Sequence, residues 1–203
     1  MLSAALGDAS GCPLVPLREI LEPSIDEVAV EPEATYPIAG VYSFGRGLFT
    51  RTLIVGADTK YAKLHRLHAG QLVMSRLKAW EGAVALVHPE FDGMHVSPEF
   101  PTFSVRGGRA EPAFVELIAR WPPFWESLLG HSRGIGARRE RVHADRLLAT
   151  EVPLPPLDEQ ARIVERMDRV ARLRARADER SDHLAALEQS ALNAALGAPA
   201  SNA

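Results

Sequence analysis

The sequence predicts an α+β protein: a domain of short strands forming a twisted mixed β-sheet with a few short helices, followed by one long C-terminal helix of the coiled-coil type. Three observations predict it. Between Pro37 and Val105 the chain is broken into brief runs rich in β-branched and aromatic residues, each bounded by Gly, Pro, Asp or His-Pro. From Leu157 to about Leu196 it contains neither Gly nor Pro and is dominated by Ala, Leu, Arg and Glu. Of the 203 residues, 46% are hydrophobic and 24% charged, the balance of a globular protein able to bury a core.

Residues 1–13 read as a loose tail ending in Gly11-Cys12-Pro13. A domain then runs over residues 14–152. Leu14–Leu21 is short and apolar, a strand or a turn of helix, and the acidic stretch Glu22–Pro37 reads as loop. Strands are expected at Ile38–Phe44, Thr52–Val55, Gln71–Ser75, Ala83–Val87 and Thr102–Val105. Pro112 opens a helix with Phe114, Leu117, Ile118 and Trp121 on one face. Pro122-Pro123 stops or kinks it, because proline lacks an amide hydrogen and disfavours helical backbone in the residue before it. Phe124–Leu129 forms a further short helix ended by Gly130. Phe44, Phe103, Phe114, Trp121, Phe124 and Trp125 are assigned to packing.

Residues 153–196 carry the long helix, with Asp158 and Glu159 in its first turn and Gly197 and Pro199 at its end, leaving 197–203 as a tail. Ile163, Val170, Ala177, Leu184 and Ala191 recur every seven residues. Met167, Leu173 and Leu187 supply parts of a second row that Arg174, Ser181 and Glu188 interrupt. A helix of this length extends about 60 Å, more than the preceding domain covers. The expectation is a protruding arm whose stripe pairs with another helix, in a homodimer or with a second chain; folding back on its own domain is the competing reading.

The net charge of −3 conceals an uneven distribution. Residues 1–33 hold seven acids and one arginine, whereas residues 46–78 hold seven basic residues and only Asp58. Residues 131–146 are again basic, with five arginines against two acids. Two separated basic segments in a mildly acidic chain predict a local electropositive face suited to a polyanion, against the alternative of solvated surface charge.

Several chemistries find no support. His65-x-x-His68 has no cysteine nearby, so a zinc site is not indicated, and solvated histidines beside Arg66 are expected. There is no phosphate-binding GxxxxGK[ST] loop or GxSxG nucleophile setting, and the single cysteine, Cys12, lies in the tail. Ser43-Phe44-Gly45-Arg46-Gly47 and Trp121-Pro122-Pro123-Phe124 faintly resemble motifs of a stand-alone DNA methyltransferase, but the second lacks the Asn or Asp that would hold the target amino group. No catalytic residue and no metal ligand is assigned. No apolar run approaches the roughly 20 residues that span a bilayer, and the N-terminus lacks a secretory pattern; the expected location is the cytoplasm.

The junction Val152-Pro153-Leu154-Pro155-Pro156-Leu157-Asp158-Glu159-Gln160-Ala161-Arg162-Ile163-Val164 resembles the I-P-L-P-P-L-x-E-Q-x-x-I-V segment of the DNA specificity subunits of Type I restriction–modification systems, where a target-recognition domain meets a long helix. Gly70-Gln71-Leu72-Val73-Met74-Ser75-Arg76-Leu77-Lys78-Ala79-Trp80-Glu81-Gly82-Ala83 is similar to that family's G-D-x-V-x-S-R-x-x-A-x-x-G stretch. Val96–Pro101 and the Gly134–Arg141 run follow in the expected order, so the resemblance covers residues 14 to 180. Family members carry two recognition domains and two helices, and this sequence has one of each, which implies a half-subunit form. The resemblance implies binding of double-stranded DNA, docking of methyltransferase subunits on the helix, and a restriction subunit with translocase and nuclease activity in a phage-defence complex. It places S-adenosylmethionine on the methyltransferase subunit, with no cofactor on this chain. A helical assembly protein that no longer reads DNA, or a remnant of a longer subunit, is the alternative.

Joined to the charge map, the resemblance selects Arg46 in the Gly45–Gly47 turn, Arg76 and Lys78 after a strand, and Arg133, Arg138, Arg139 and Arg141 around Gly134 and Gly136 as DNA-binding residues. The helix-pairing residues are Ile163, Met167, Val170, Leu173, Ala177, Leu184, Leu187 and Ala191.

Overall fold

The computed structural model describes residues 12–129 and 141–197. The α+β class with a terminal long helix holds. The strands are β1 (Leu14–Pro16), β2 (Leu21–Pro23), β3 (Asp26–Ala29), β4 (Thr35–Tyr36), β5 (Ala39–Val41), β6 (Leu48–Thr50) and β7 (Ile54–Val55). They continue as β8 (Lys63–Arg66), β9 (Leu72–Met74), β10 (Val84–Leu86), β11 (His95–Val96), β12 (Thr102–Val105) and β13 (Glu151–Pro153). The helices are α1 (Pro112–Ala119), α2 (Pro122–Ser127), α3 (Ala144–Ala149) and α4 (Leu157–Leu196).

Among the described residues the strands are divided over several small sheets rather than gathered in one. One has the order β10-β9-β12-β2, a second β11-β8-β3, and three are pairs, β1-β13, β4-β7 and β5-β6. All these ladders are antiparallel, and a parallel bridge between Ile38 and His95 supplies the mixed element. Frequent Gly and Pro cut the strands to between two and four residues, so stability comes from covering both faces of the central ladder. In β9 and β10, Val73 opposite Ala85 joins a cluster with Ala39, Leu48, Leu67, Val87, Met94 and Val96. Their neighbours Leu72, Met74 and Val84 point the other way by strand alternation and are equally buried. Helix α1 packs on β10 and buries Phe114, Val115 and Ile118.

Four features depart from the expectation. The acidic stretch Glu22–Pro37 is not loop throughout: it contains β3, which pairing with basic β8 stabilises although its residues look like a solvated turn, and β4, which pairs with β7. Strands β6, β8, β11 and β13 and helix α3 were not anticipated. Pro122-Pro123 does more than end α1. Both prolines occupy the first turn of α2, where no amide hydrogen is required. Leu14–Leu21 is both candidate structures at once, β1 and β2 separated by a 3-10 turn at Leu17–Glu19.

The junction into α4 is closed from two sides. Strand β1 pairs with β13 in the register Leu14↔Pro153 and Val15↔Val152, extended by Leu17 N–H to Thr150 O (2.9 Å) and Leu154 N–H to Pro13 O (3.1 Å). Gln160, 0% exposed, then fastens the first turn of α4. Its Nε2 donates to Arg109 O (2.9 Å) and Pro155 O (2.8 Å), and its Oε1 accepts from Glu111 N–H (2.9 Å).

The chain divides into one compact unit ending at Ile163 and a second beginning at Val164. Ile163, expected in the pairing stripe, is 2% exposed and belongs to the first unit's core, so its side chain is not free to meet a partner helix. In the second unit α4 continues to Leu196 and is capped by Gly197 at a φ of 65°. Met167 and Val170 are half-buried, while Leu173, Ala177, Leu184, Leu187 and Ala191 are exposed. Glu165–Arg169 at a spacing of four supports the exposed helix.

Candidate nucleic-acid interface

Part of the basic surplus of residues 46–78 is neutralised within the fold. Strands β3 and β8 bring the acidic and basic segments together: Lys63 pairs with Glu27, Arg66 with Asp26 (3.8 Å), and His68 Nε2 with Asp26 Oδ2 (2.8 Å). A hydrogen bond from Lys63, joined by its charge, holds the Glu27 carboxyl below its usual range. His65 is not the solvated histidine expected; it is buried, with Nδ1 3.2 Å from Phe100 O. His95 is buried edge-on to Tyr36, with neither ring nitrogen hydrogen-bonded, and burial pushes its pKa down.

The other sequence-predicted cations that the structure describes lie at two places, where Lys78 and Arg141 each face a carboxylate and Arg46 faces none among the described residues. Between β5 and β6 the chain reverses through Tyr42–Gly47, closed by Tyr42 N–H to Gly47 O (2.9 Å). Phe44, Gly45 and Gly47 all have positive φ, at 64°, 63° and 82°. Glycine at 45 is required twice over, because a Cβ there would lie 2.9 Å from both the Arg120 Cα and the Trp125 ring. The turn is anchored on the corner after Lys78: Phe44 N–H donates to Glu81 O (2.8 Å), Gly45 N–H to Gly82 O (3.0 Å), and Ser43 Oγ to Glu81 Oε2 (3.1 Å). Lys78 Nζ approaches the same Glu81 carboxylate at 3.4 Å.

Arg46 is exposed at this turn. Its Nε donates to Ser43 O (3.1 Å) and its guanidinium lies 4.6 Å above the Tyr42 ring. Tyr42 stacks on Phe49 at 4.2 Å, and Phe49 lies so close over Gly40 that a Cβ there would meet its ring at 2.4 Å. The hairpin thus presents Arg46 on an aromatic support. Beneath the turn, a cleft of about 360 Å³ is lined by Arg46, Arg120, His88 and Glu116 among others. His88 and Glu116 engage each other at 3.3 Å, whereas the Arg120 side chain pairs with no carboxylate among the described residues.

Arg76 and Arg141 meet at a second node. Arg76 N–H donates to Glu99 O (2.9 Å), Val142 N–H to Arg76 O (2.8 Å), and Arg141 Nη2 contacts Glu99 Oε1 at 3.1 Å. Arg76 Nε and Glu99 Oε2 are buried without a hydrogen-bond partner. The structure therefore links Arg46 to Lys78 through Glu81 and Arg76 to Arg141 through Glu99, with only Leu77 between Arg76 and Lys78 in the chain. Arg133, Arg138 and Arg139 lie outside the described residues. Arg120 was missed because its helix-end position carries no motif. Phe44, assigned to packing, is 66% exposed; the flanking glycines were the available signal.

The architecture is of a defined class, a small α+β domain whose chain runs directly into a long helix, and solved structures similar to it include an HsdS subunit and a chain from a type I R-M system. One is the HsdS subunit from Thermoanaerobacter tengcongensis, with a TM-score of 0.63 and 26% identity over 86% of this chain and 47% of that one. Another is a chain from a structure of type I R-M complex assembly and conformational transition, with a TM-score of 0.67 and 23% identity over 94% of this chain and 51% of that one. The chain thus spans about half the length of the solved chains it matches. No protein-family model and no curated protein matches it.

Proposed function

We propose that this chain is a DNA-reading specificity component of a Type I restriction–modification complex. It supplies one recognition domain for one half of a bipartite target and one helix on which methyltransferase subunits dock. The observation that carries the reading is the similarity of most of the chain to about half of an HsdS chain. The cations at the Arg46–Lys78 and Arg76–Arg141 nodes support it, since Lys and Arg at phosphates give salt-dependent affinity while base edges in the groove give discrimination. The chain does no chemistry itself; S-adenosylmethionine belongs to the methyltransferase subunit, and translocation and cleavage to the restriction subunit. The exposed stripe from Leu173 to Ala191 pairs with the helix of a second copy or of a second specificity chain. Self-pairing relates two identical readers by a two-fold axis, so the target becomes an interrupted palindrome.

Methylome sequencing of cells expressing this specificity chain alone with its methyltransferase tests the symmetric form, which an asymmetric bipartite target excludes. DNA binding by the assembled complex tests the reading itself. Alanine at a base-reading arginine costs about 1–3 kcal/mol at one base position, whereas alanine at a phosphate contact weakens all sequences alike and lowers the salt slope by about one. Unaltered affinity across alanine variants of Arg46, Arg76, Lys78, Arg133, Arg138, Arg139 and Arg141 removes the surface assignment. It would favour a helical assembly protein that does not read DNA.

A further inference from the structure

We propose that Phe44 is a wedge that inserts at a base step of the bound duplex, an inference that rests on the DNA-reading function proposed above. Among the described residues, Phe44 is the only non-glycine residue with a positive φ, at 64°. A bulky side chain is disfavoured in that backbone region, where glycine or asparagine fits best. The ring recovers little through packing, since the residue is 66% exposed. Neither backbone preference nor burial accounts for a phenylalanine here, and an outlier of this kind points to use by a ligand.

The surroundings indicate which ligand. Both amides at the turn's apex, those of Phe44 and Gly45, are held by the carbonyls of Glu81 and Gly82, so the ring stands on a fixed base. Arg46 beside it contacts a tyrosine ring and a carbonyl but no carboxylate among the described residues, and Lys78 lies on the anchoring Glu81. An exposed aromatic ring next in the turn to an arginine that no described carboxylate neutralises matches a polyanion with stacked bases: the cation meets a phosphate and the ring enters a base step that the contact unstacks. Tyr42, 40% exposed, carries Arg46 on its face and holds that cation beside the wedge.

The test uses the complex captured on this chain from its own cells, and duplexes it selects from a random-sequence pool. Phe44→Gly removes the ring and relaxes the backbone, and Phe44→Trp restores an aromatic wedge. Phe44→Gly is expected to lose roughly ten- to hundred-fold in affinity without a lower melting temperature, and Phe44→Trp to retain binding. 2-Aminopurine stepped along the duplex should brighten at one step with the unmodified complex and with Phe44→Trp, and stay dark with Phe44→Gly. If the unmodified complex selects and binds DNA but Phe44→Gly matches it in affinity and fluorescence, the wedge is refuted while the DNA-reading function stands. If Phe44→Gly spares DNA binding and instead loses a co-purifying protein, the ring is a protein anchor and the wedge is refuted. If the unmodified complex binds no duplex at any salt concentration, both readings fall.

Discussion

Replacing Gln160 by alanine removes the fastening of the long helix to the domain. The amide is fully buried and makes three hydrogen bonds, to Arg109 O, Pro155 O and Glu111 N–H, all between 2.8 and 2.9 Å. A typical intramolecular hydrogen bond contributes about 1 kcal/mol net, and a buried partner left unsatisfied costs about 1–3 kcal/mol. The bond to Pro155 O is fully buried and the other two partly so, which lets water repair some of the loss. The expected destabilisation is about 3 kcal/mol, or about 6–12 °C in melting temperature for a chain of this size. Tryptophan fluorescence in urea and heat reports the domain transition separately from the helix, whose circular dichroism dominates the total signal. Gln160→Glu keeps the acceptor for Glu111 N–H but sets a carboxylate against two carbonyl oxygens. It should be at least as damaging at neutral pH and recover partly as acid protonates it. A Gln160→Ala protein within about 1 kcal/mol of the unmodified one would refute the assignment of these three bonds as the fastening.

Other outcomes follow from the same structure. Burial keeps His95 neutral in the folded domain while the unfolded chain binds a proton near the ordinary value of 6.5, so stability should fall as pH drops below that value. His95→Leu should flatten that part of the urea-stability profile relative to the unmodified protein. Leu184→Glu with Leu187→Glu places charge on two residues more than half exposed and tests the proposed helix pairing; light scattering should show the unmodified protein associating and the variant monomeric with helicity retained. Gly45→Ala puts a Cβ 2.9 Å from the Arg120 backbone at a φ of 63°, whereas Gly47→Ala at 82° meets open space. The first should cost about 1–3 kcal/mol in urea unfolding and exceed the second.

The long helix was legible to within a few residues because its signals are local: no Gly or Pro, acids in the first turn, glycine at the end. Strand β12 was legible for a similar reason, four β-prone residues between breakers. What escaped were elements defined by their partners. Asp26–Ala29 has little intrinsic strand character and is a strand because Lys63–Arg66 lies against it with opposite charge. That pairing also explains why segment charges overstated the electropositive face: summing along the chain cannot see the cross-strand neutralisation of Lys63 and Arg66. At the candidate site, glycine spacing located the Arg46 turn, but its anchoring through Glu81 depends on a contact 38 residues away in sequence, between Ser43 and Glu81. Ile163 shows the reverse case. It fits the seven-residue spacing, but its side chain is buried in the domain's core.

The antiparallel seam of Leu14–Pro16 against Glu151–Pro153 means that the polypeptide enters and leaves the globular part side by side. Such a part is topologically a loop tied at its neck, with Gln160 adding a second tie to Arg109 O and Glu111 N–H. Side chains elsewhere in the loop can diverge without disturbing its ends, provided the three residue pairs of the neck and the backbone seat of Gln160 are kept. Changes to the surface that the loop presents and changes to the way its ends are joined are therefore largely separable.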